Sequence, residues 1–163
     1  MADEVDAITA AWLAERPDLD VEPLHILSRI SRLAQLLDER RAQAFAEHGL
    51  ASHEFDVLAA LRRSGPPYER TPGQLIEATH VTSGTMTNRL DRLADRQLIL
   101  RRAHPEDGRQ LLIRLTGLGK RRVDSAFEAL LASEEALLAG LSAAQRTSLA
   151  SGLRRLLRTV ADS

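Results

Sequence analysis

Two polar segments of this sequence have the residue types and spacing to meet an anion. The first is Thr82-Ser-Gly-Thr-Met-Thr-Asn-Arg-Leu-Asp-Arg92. On a helix, Ser83, Thr85, Thr87 and Asn88 would cluster near its N-terminal end. Short polar side chains there reach phosphates or base edges, and the helix N-terminus itself attracts phosphate. Some of them could instead only cap the helix. Gly84 would let the backbone approach closely. Arg89, Arg92 and Arg96 follow, and Arg92 and Arg96 read equally as phosphate contacts or as solvated charges. The second segment is the polar turn His104-Pro-Glu-Asp-Gly-Arg109.

Charge supports an anionic partner. The chain of 163 residues has a net charge of −1, but from Arg62 to Arg122 there are 13 Lys and Arg against 6 Asp and Glu. Nearly all of these cations are arginine, and Lys120 is the only lysine. Arginine favours planar, bidentate contacts with phosphate and guanine. One surface that meets an anion is the reading this suggests, and ordinary surface charge would give the same asymmetry.

Enzyme chemistry finds little support. The histidines His25, His48, His53, His80 and His104 are scattered, and His48 and His53 straddle Gly49. No His-Glu-x-x-His, glycine-rich phosphate loop or Gly-x-Ser-x-Gly occurs. There is no cysteine, which removes disulfides, thiolate metal sites, cysteine nucleophiles and thiol redox sensing. No metal and no cofactor is expected. Hydrophobic residues make up 44% and charged residues 28%, enough for a core and a solvated surface. No apolar run is long enough to span a bilayer, and the first residues, Met1-Ala-Asp-Glu-Val-Asp6, do not resemble a secretory signal. A cytoplasmic protein is the expectation.

The elements that must position these residues follow from periodicity and caps. Residues 6–16 read as a short helix stopped by Pro17. Leu24, Leu27, Ile30, Leu33 and Leu37 give an amphipathic helix over 23–47, ended by Gly49. Ser52 reads as the cap of a helix over 52–64, stopped by Ser64-Gly-Pro-Pro67. Thr71-Pro72 opens a short helix, 72–79, and a turn at His80-Val81 leads to a helix over 82–97. A short helix, a tight turn and a second helix form a helix-turn-helix. The period then changes. Residues 98–102 and 110–115 read as strands of a hairpin with a basic tip. Helices over 116–139 and from Ser142 to about 161 close the chain. Their apolar stripes, with that of 23–47, need a partner surface and suggest a helical dimerisation platform. Packing on the core of a monomer is the other way to bury them.

The segment from Thr82 to Leu93 resembles the recognition helix of the MarR family. Pro105-Glu-Asp-Gly-Arg-Gln-Leu-Leu-Ile-Arg-Leu-Thr-Gly-Leu-Gly119 resembles that family's wing signature, with Gly108 where the family often has Arg. The resemblance covers roughly residues 23–161. It implies a mainly α fold with a small β-hairpin wing, a winged helix-turn-helix plus a helical dimerisation region. Residues 1–20 would be an additional N-terminal helix, 51–115 the DNA-binding lobe, and 21–50 with 116–163 the dimerisation helices. A homodimer would read a pseudo-palindromic operator, the recognition helix in the major groove and Arg109 in the flanking minor groove. Asp107 would brace Arg109 or a neighbouring arginine, or merely form the turn. A winged module that binds protein rather than DNA is the alternative.

A subgroup of the family, the PecS-like and urate-responsive regulators, carries an extra N-terminal helix with a Trp, an Asp after the long helix, and an Arg on the recognition helix. Trp12, Asp56 and Arg89 stand in those places here. The likeness implies a small anionic or phenolic ligand, urate or another planar or polycarboxylic acid, whose binding relieves repression. Trp12 would stack on its ring, Arg89 would hold an anionic oxygen, and Asp56 would pair with Arg89 in the empty site. Trp12 as a packing residue and Asp56–Arg89 as a structural ion pair are the plainer reading.

Overall fold

Among the described residues, seven helices and three short strands are formed where capping chemistry allows them. The computed structural model describes residues 2–103 and 110–162. In chain order the elements are α1 (Glu4–Glu15), α2 (Glu22–Glu47), α3 (Ser52–Arg63), β1 (Glu69–Arg70), α4 (Pro72–Thr79), α5 (Ser83–Asp95), β2 (Ile99–Ala103), β3 (Leu111–Leu115), α6 (Gly117–Leu138) and α7 (Ala143–Ala161). Thr71, Thr82, Thr116 and Ser142 each accept a backbone N–H at a helix start, as their positions suggest. The cap of α3 differs from expectation. Ala51, not Ser52, is the N-cap residue, and the Glu54 carboxylate accepts the Ala51 N–H at 2.9 Å. Glu54 reaches back from the third helical position, so no side chain at the cap itself is required.

The chain divides into two units, residues 1–43 and 44–163, with the division inside α2. In the first, Asp3 and Asp6 form a capping box at the start of α1. Arg29 of α2 donates to Asp3 at 2.8 and 3.0 Å, to Asp6 at 2.7 Å and to the His25 carbonyl at 2.8 Å. One guanidinium thus ties the extra helix to the long one.

In the second unit α3 is central. Val57, Leu58 and Leu61 are fully buried, with Leu75 of α4, Met86 and Leu93 of α5, Ile113 of β3 and Val123 of α6 around them. Phe45, from the end of α2, stacks on Phe55 with centroids 4.0 Å apart. The sheet is antiparallel in the order β1-β3-β2. Leu100 faces Arg114 across β2 and β3, and Glu69 of β1 faces Arg114 on the other side. The hairpin is where the change of period placed it. The third strand, β1, was not expected. At α6 the helix start abuts β2: Thr116 accepts the Gly119 N–H at 2.9 Å and donates to the Gln97 and Leu98 carbonyls. On α6, Asp124 takes Arg62 of α3 at 2.7 Å and Lys120 at 2.9 Å.

Candidate nucleic-acid interface and ligand site

The turn between α4 and α5 is made by backbone geometry. His80 ends α4 in the left-handed region with φ 53°, a conformation that stops the helix and turns the chain. Thr82 then caps α5. Ser83, Thr85, Thr87 and Asn88 are all exposed, as a reading face requires. Their hydroxyls are not idle. The Thr85 and Thr82 hydroxyls lie 2.9 Å apart, and Thr87 donates to the Ser83 carbonyl at 3.1 Å. Two of the hydroxyls read as candidate DNA contacts therefore also serve the helix's own first turn. Met86, Leu90 and Leu93 form the opposite, buried face.

An open depression of about 270 Å³ lies against this helix, lined by His53 of α3 and by Thr85, Asn88, Arg89 and Arg92. Arg92 is exposed and Arg89 half-buried. Asp56 stands one turn beyond His53 on α3. Burial by its surroundings raises the pKa of its carboxyl, against the opposing charges of Arg89, Arg63 and His53. The expected Asp56–Arg89 ion pair is not formed among the described residues. Arg89 acts on Asp56 as a charge without touching it, one of three cations that share it.

Asp56→Asn should therefore stabilise the protein. A carboxyl with a raised folded-state pKa contributes stability below its unfolded pKa and loses it as pH rises through the folded value. The amide removes that cost at neutral pH. The melting temperature of Asp56→Asn should exceed the parent's at pH 7 by a small margin that closes below pH 4. A lower melting temperature at pH 7 would mean that Asp56 is a net stabilising partner of the arginines.

Trp12 belongs to the N-terminal unit. It is 53% exposed on α1, one turn from Ile8 at 42%. It is not a packed core residue within its own chain, so the packing reading has no support there. Asp107 and Arg109, with the rest of residues 104–109, lie outside the described residues.

The wing strands carry braces that the sequence did not reveal. Arg101 donates to Asp91 of α5 at 2.6 Å, joining β2 to the recognition helix. Arg102 donates to Glu69 of β1 at 2.6 Å, and Arg114 lies 3.6 Å from the same carboxylate. The Glu69 side chain is only 8% exposed, so these arginines meet a desolvated anion. Arg96 was read as a phosphate contact or a solvated charge. Its side chain is 40% exposed, and it also binds Glu54 through both carboxylate oxygens at 2.7 Å.

The depression and its neighbours hold no metal centre: no cluster of three or more His, Asp or Glu suited to a metal is present among the described residues. No described helix is long and apolar enough to cross a membrane. The model of the MarR family matches residues 48–110, spanning α3 to β2 and the residues after it. The regulator PecS of Dickeya dadantii is 36% identical over 153 residues, which is 94% of this chain and 92% of PecS. The chain belongs to the MarR family. It is a transcription regulator with a DNA-binding winged helix and not an enzyme, as the members of the family are. The repressor NicR of Pseudomonas putida is 27% identical over 143 residues, covering 85% of this chain and 89% of NicR. Among solved structures, that of Bordetella bronchiseptica BpsR, whose DNA binding is regulated by 6-hydroxynicotinic acid, superposes with a TM-score of 0.60 at 24% identity, covering 78% of this chain and 98% of BpsR.

Proposed function

We propose that this MarR-family regulator is a homodimeric repressor that binds a pseudo-palindromic operator and releases it when a small anionic or aromatic acid binds. A cytoplasmic location goes with that role. The observation that carries the ligand reading is the depression on the DNA-reading helix lined by His53, Arg89 and Arg92, with the exposed carboxyl of Asp56 one turn along α3 from His53. An anion entering there repels Asp56 and draws Arg89, which bears directly on the helix that meets DNA. The regulation of BpsR by an aromatic acid supports the class of ligand. Urate is the first candidate. In the operator complex, Ser83, Thr85, Thr87, Asn88 and Arg92 face the major groove, Arg109 enters the minor groove, and Asp107 braces the wing.

The ligand reading is tested by titrating urate against the protein bound to a duplex selected from a random pool. Urate should release the parent from DNA. In Arg89→Ala the response should weaken about 10- to 100-fold, the loss of one charge-assisted contact. A variant that keeps the parent's sensitivity would show that Arg89 does not hold the acid. A ligand differs in effect between two states only by its difference in affinity for them, so a urate that binds both forms alike would leave the DNA bound.

A further inference from the structure

We propose that Arg96 and Glu54 form a positioning clasp that sets the angle at which α5 enters the groove. This rests on the reading that α5 is the groove-entering helix. Arg96 is the C-cap residue of α5. Its Nη1 donates to both Glu54 oxygens at 2.7 Å, and its Nη2 donates to the Gly49 carbonyl at 2.5 Å. The Glu54 side chain is 9% exposed and also holds the start of α3 through the Ala51 N–H. Burial alone would raise its pKa, but the hydrogen bonds from Arg96 and Ala51 outweigh it and hold the carboxyl below its ordinary value. Next to Gly49, the His48 carbonyl accepts Arg122 of α6 at 2.8 Å. The turn after α2 is thus gripped by two guanidiniums, one from the end of α5 and one from α6. Gly49 adopts φ 67°, and a Cβ there would come within 3.0 Å of the Arg122 guanidinium.

Leverage gives this joint its functional weight. Leu93 and Leu98 are buried beside Arg96, while Ser83, Thr85, Thr87 and Asn88 lie exposed toward the other end of the helix. Thr85 stands 11 residues from Arg96, about 16 Å along the axis. A tilt of about 10° at the clasp would carry the reading residues about 3 Å, enough to break base contacts. Phosphate contacts tolerate such a shift better, because they position the protein but do not read sequence.

The test compares two duplexes, one selected from a random pool by the parent and one unselected, each over a range of salt. Arg96→Gln should lower the selected-to-unselected affinity ratio about tenfold. Its affinity for the unselected duplex and its slope of log affinity against log salt should match the parent's. Glu54→Gln, which cannot touch DNA from its buried position, should do the same. Arg96→Gln leaves a buried carboxylate unpaired, so the double variant Glu54→Gln/Arg96→Gln removes that charge and should fold well while discriminating poorly. Restored discrimination in the double variant would overturn the proposal, because stability alone would then have been at stake. A fall on both duplexes with a slope reduced by about one would also overturn it, since that is the loss of a phosphate contact. Asn88→Ala and Arg92→Ala serve as controls. If neither affects either duplex, the groove reading fails and the clasp falls with it. If they act while the clasp variants do not, the clasp alone is wrong.

Discussion

Placing aspartate at Leu153 and Leu157 together should turn the protein into a monomer and cut its operator affinity at least 100-fold. On α7, Leu149, Leu153, Leu157 and Val160 recur at four- and three-residue steps and stand 49%, 38%, 71% and 69% exposed in a single chain. On α6, Phe127 and Leu131 are 49% and 50% exposed. Burying one leucine is worth roughly 1.5–3 kcal/mol, and a two-fold interface counts each residue twice. A carboxylate in that stripe reverses the gain and adds the cost of a buried charge. The loss on DNA is larger than the loss of contacts, because the second half-site is bound at the effective concentration set by the first. Separating the two lobes forfeits about 10²- to 10⁴-fold. Sedimentation should show a monomer with unchanged helix content, and DNA binding should lose its two-site character. A variant that stays dimeric at micromolar concentration would place the interface elsewhere, with α7 then exposed for another reason.

Gly119→Ala should destabilise the protein by about 3 kcal/mol, the upper end of the cost of overpacking a filled site. Its Cβ would fall inside van der Waals contact with the Leu98 carbonyl oxygen and 2.9 Å from Leu115 Cδ1. Both neighbours are rigidly held, Leu98 beside a buried strand and Leu115 in the sheet. The better helix propensity of alanine returns only about 1 kcal/mol. The melting temperature should fall by about 10 °C for a chain of this size. Gly117→Ala is the matched control, since its Cβ would meet only the tip of the flexible Arg121 side chain, at 3.7 Å. Equal effects at the two positions would mean that α6 moves freely away from β2.

Much of this architecture was legible in the residues. Apolar spacing marked the long helices α2, α6 and α7, and α4 was bounded correctly because Thr71-Pro72 and the turn after Thr79 are strong local signals. The hairpin was visible because the period changed from helical to strand-like. What escaped were features made by distant partners. β1 is two residues long, too short for any period, and exists because β3 offers it a ladder. Glu54 was unremarkable in sequence, since its role depends on Arg96, 42 positions away. The same distance hid the partner of Arg96, whose neighbours suggested a phosphate contact or a solvated charge. Asp56 and Arg89 were placed by family likeness. Their spacing could not have said that they share a neighbourhood without touching.

The node of Lys120, Asp124 and Arg62 has a consequence for how this protein can be controlled. Lys120 is the chain's single lysine, and it lies on α6, tied to Asp124 at 2.9 Å. Acylation of lysine side chains is a general way to erase positive charge, but α5 and the wing strands offer it no target, because every cation there is an arginine. With no thiol in the chain either, lysine acylation and thiol oxidation both lack a target on α5 and the wing strands. Control of that surface therefore cannot rest on covalent tagging of lysine or cysteine.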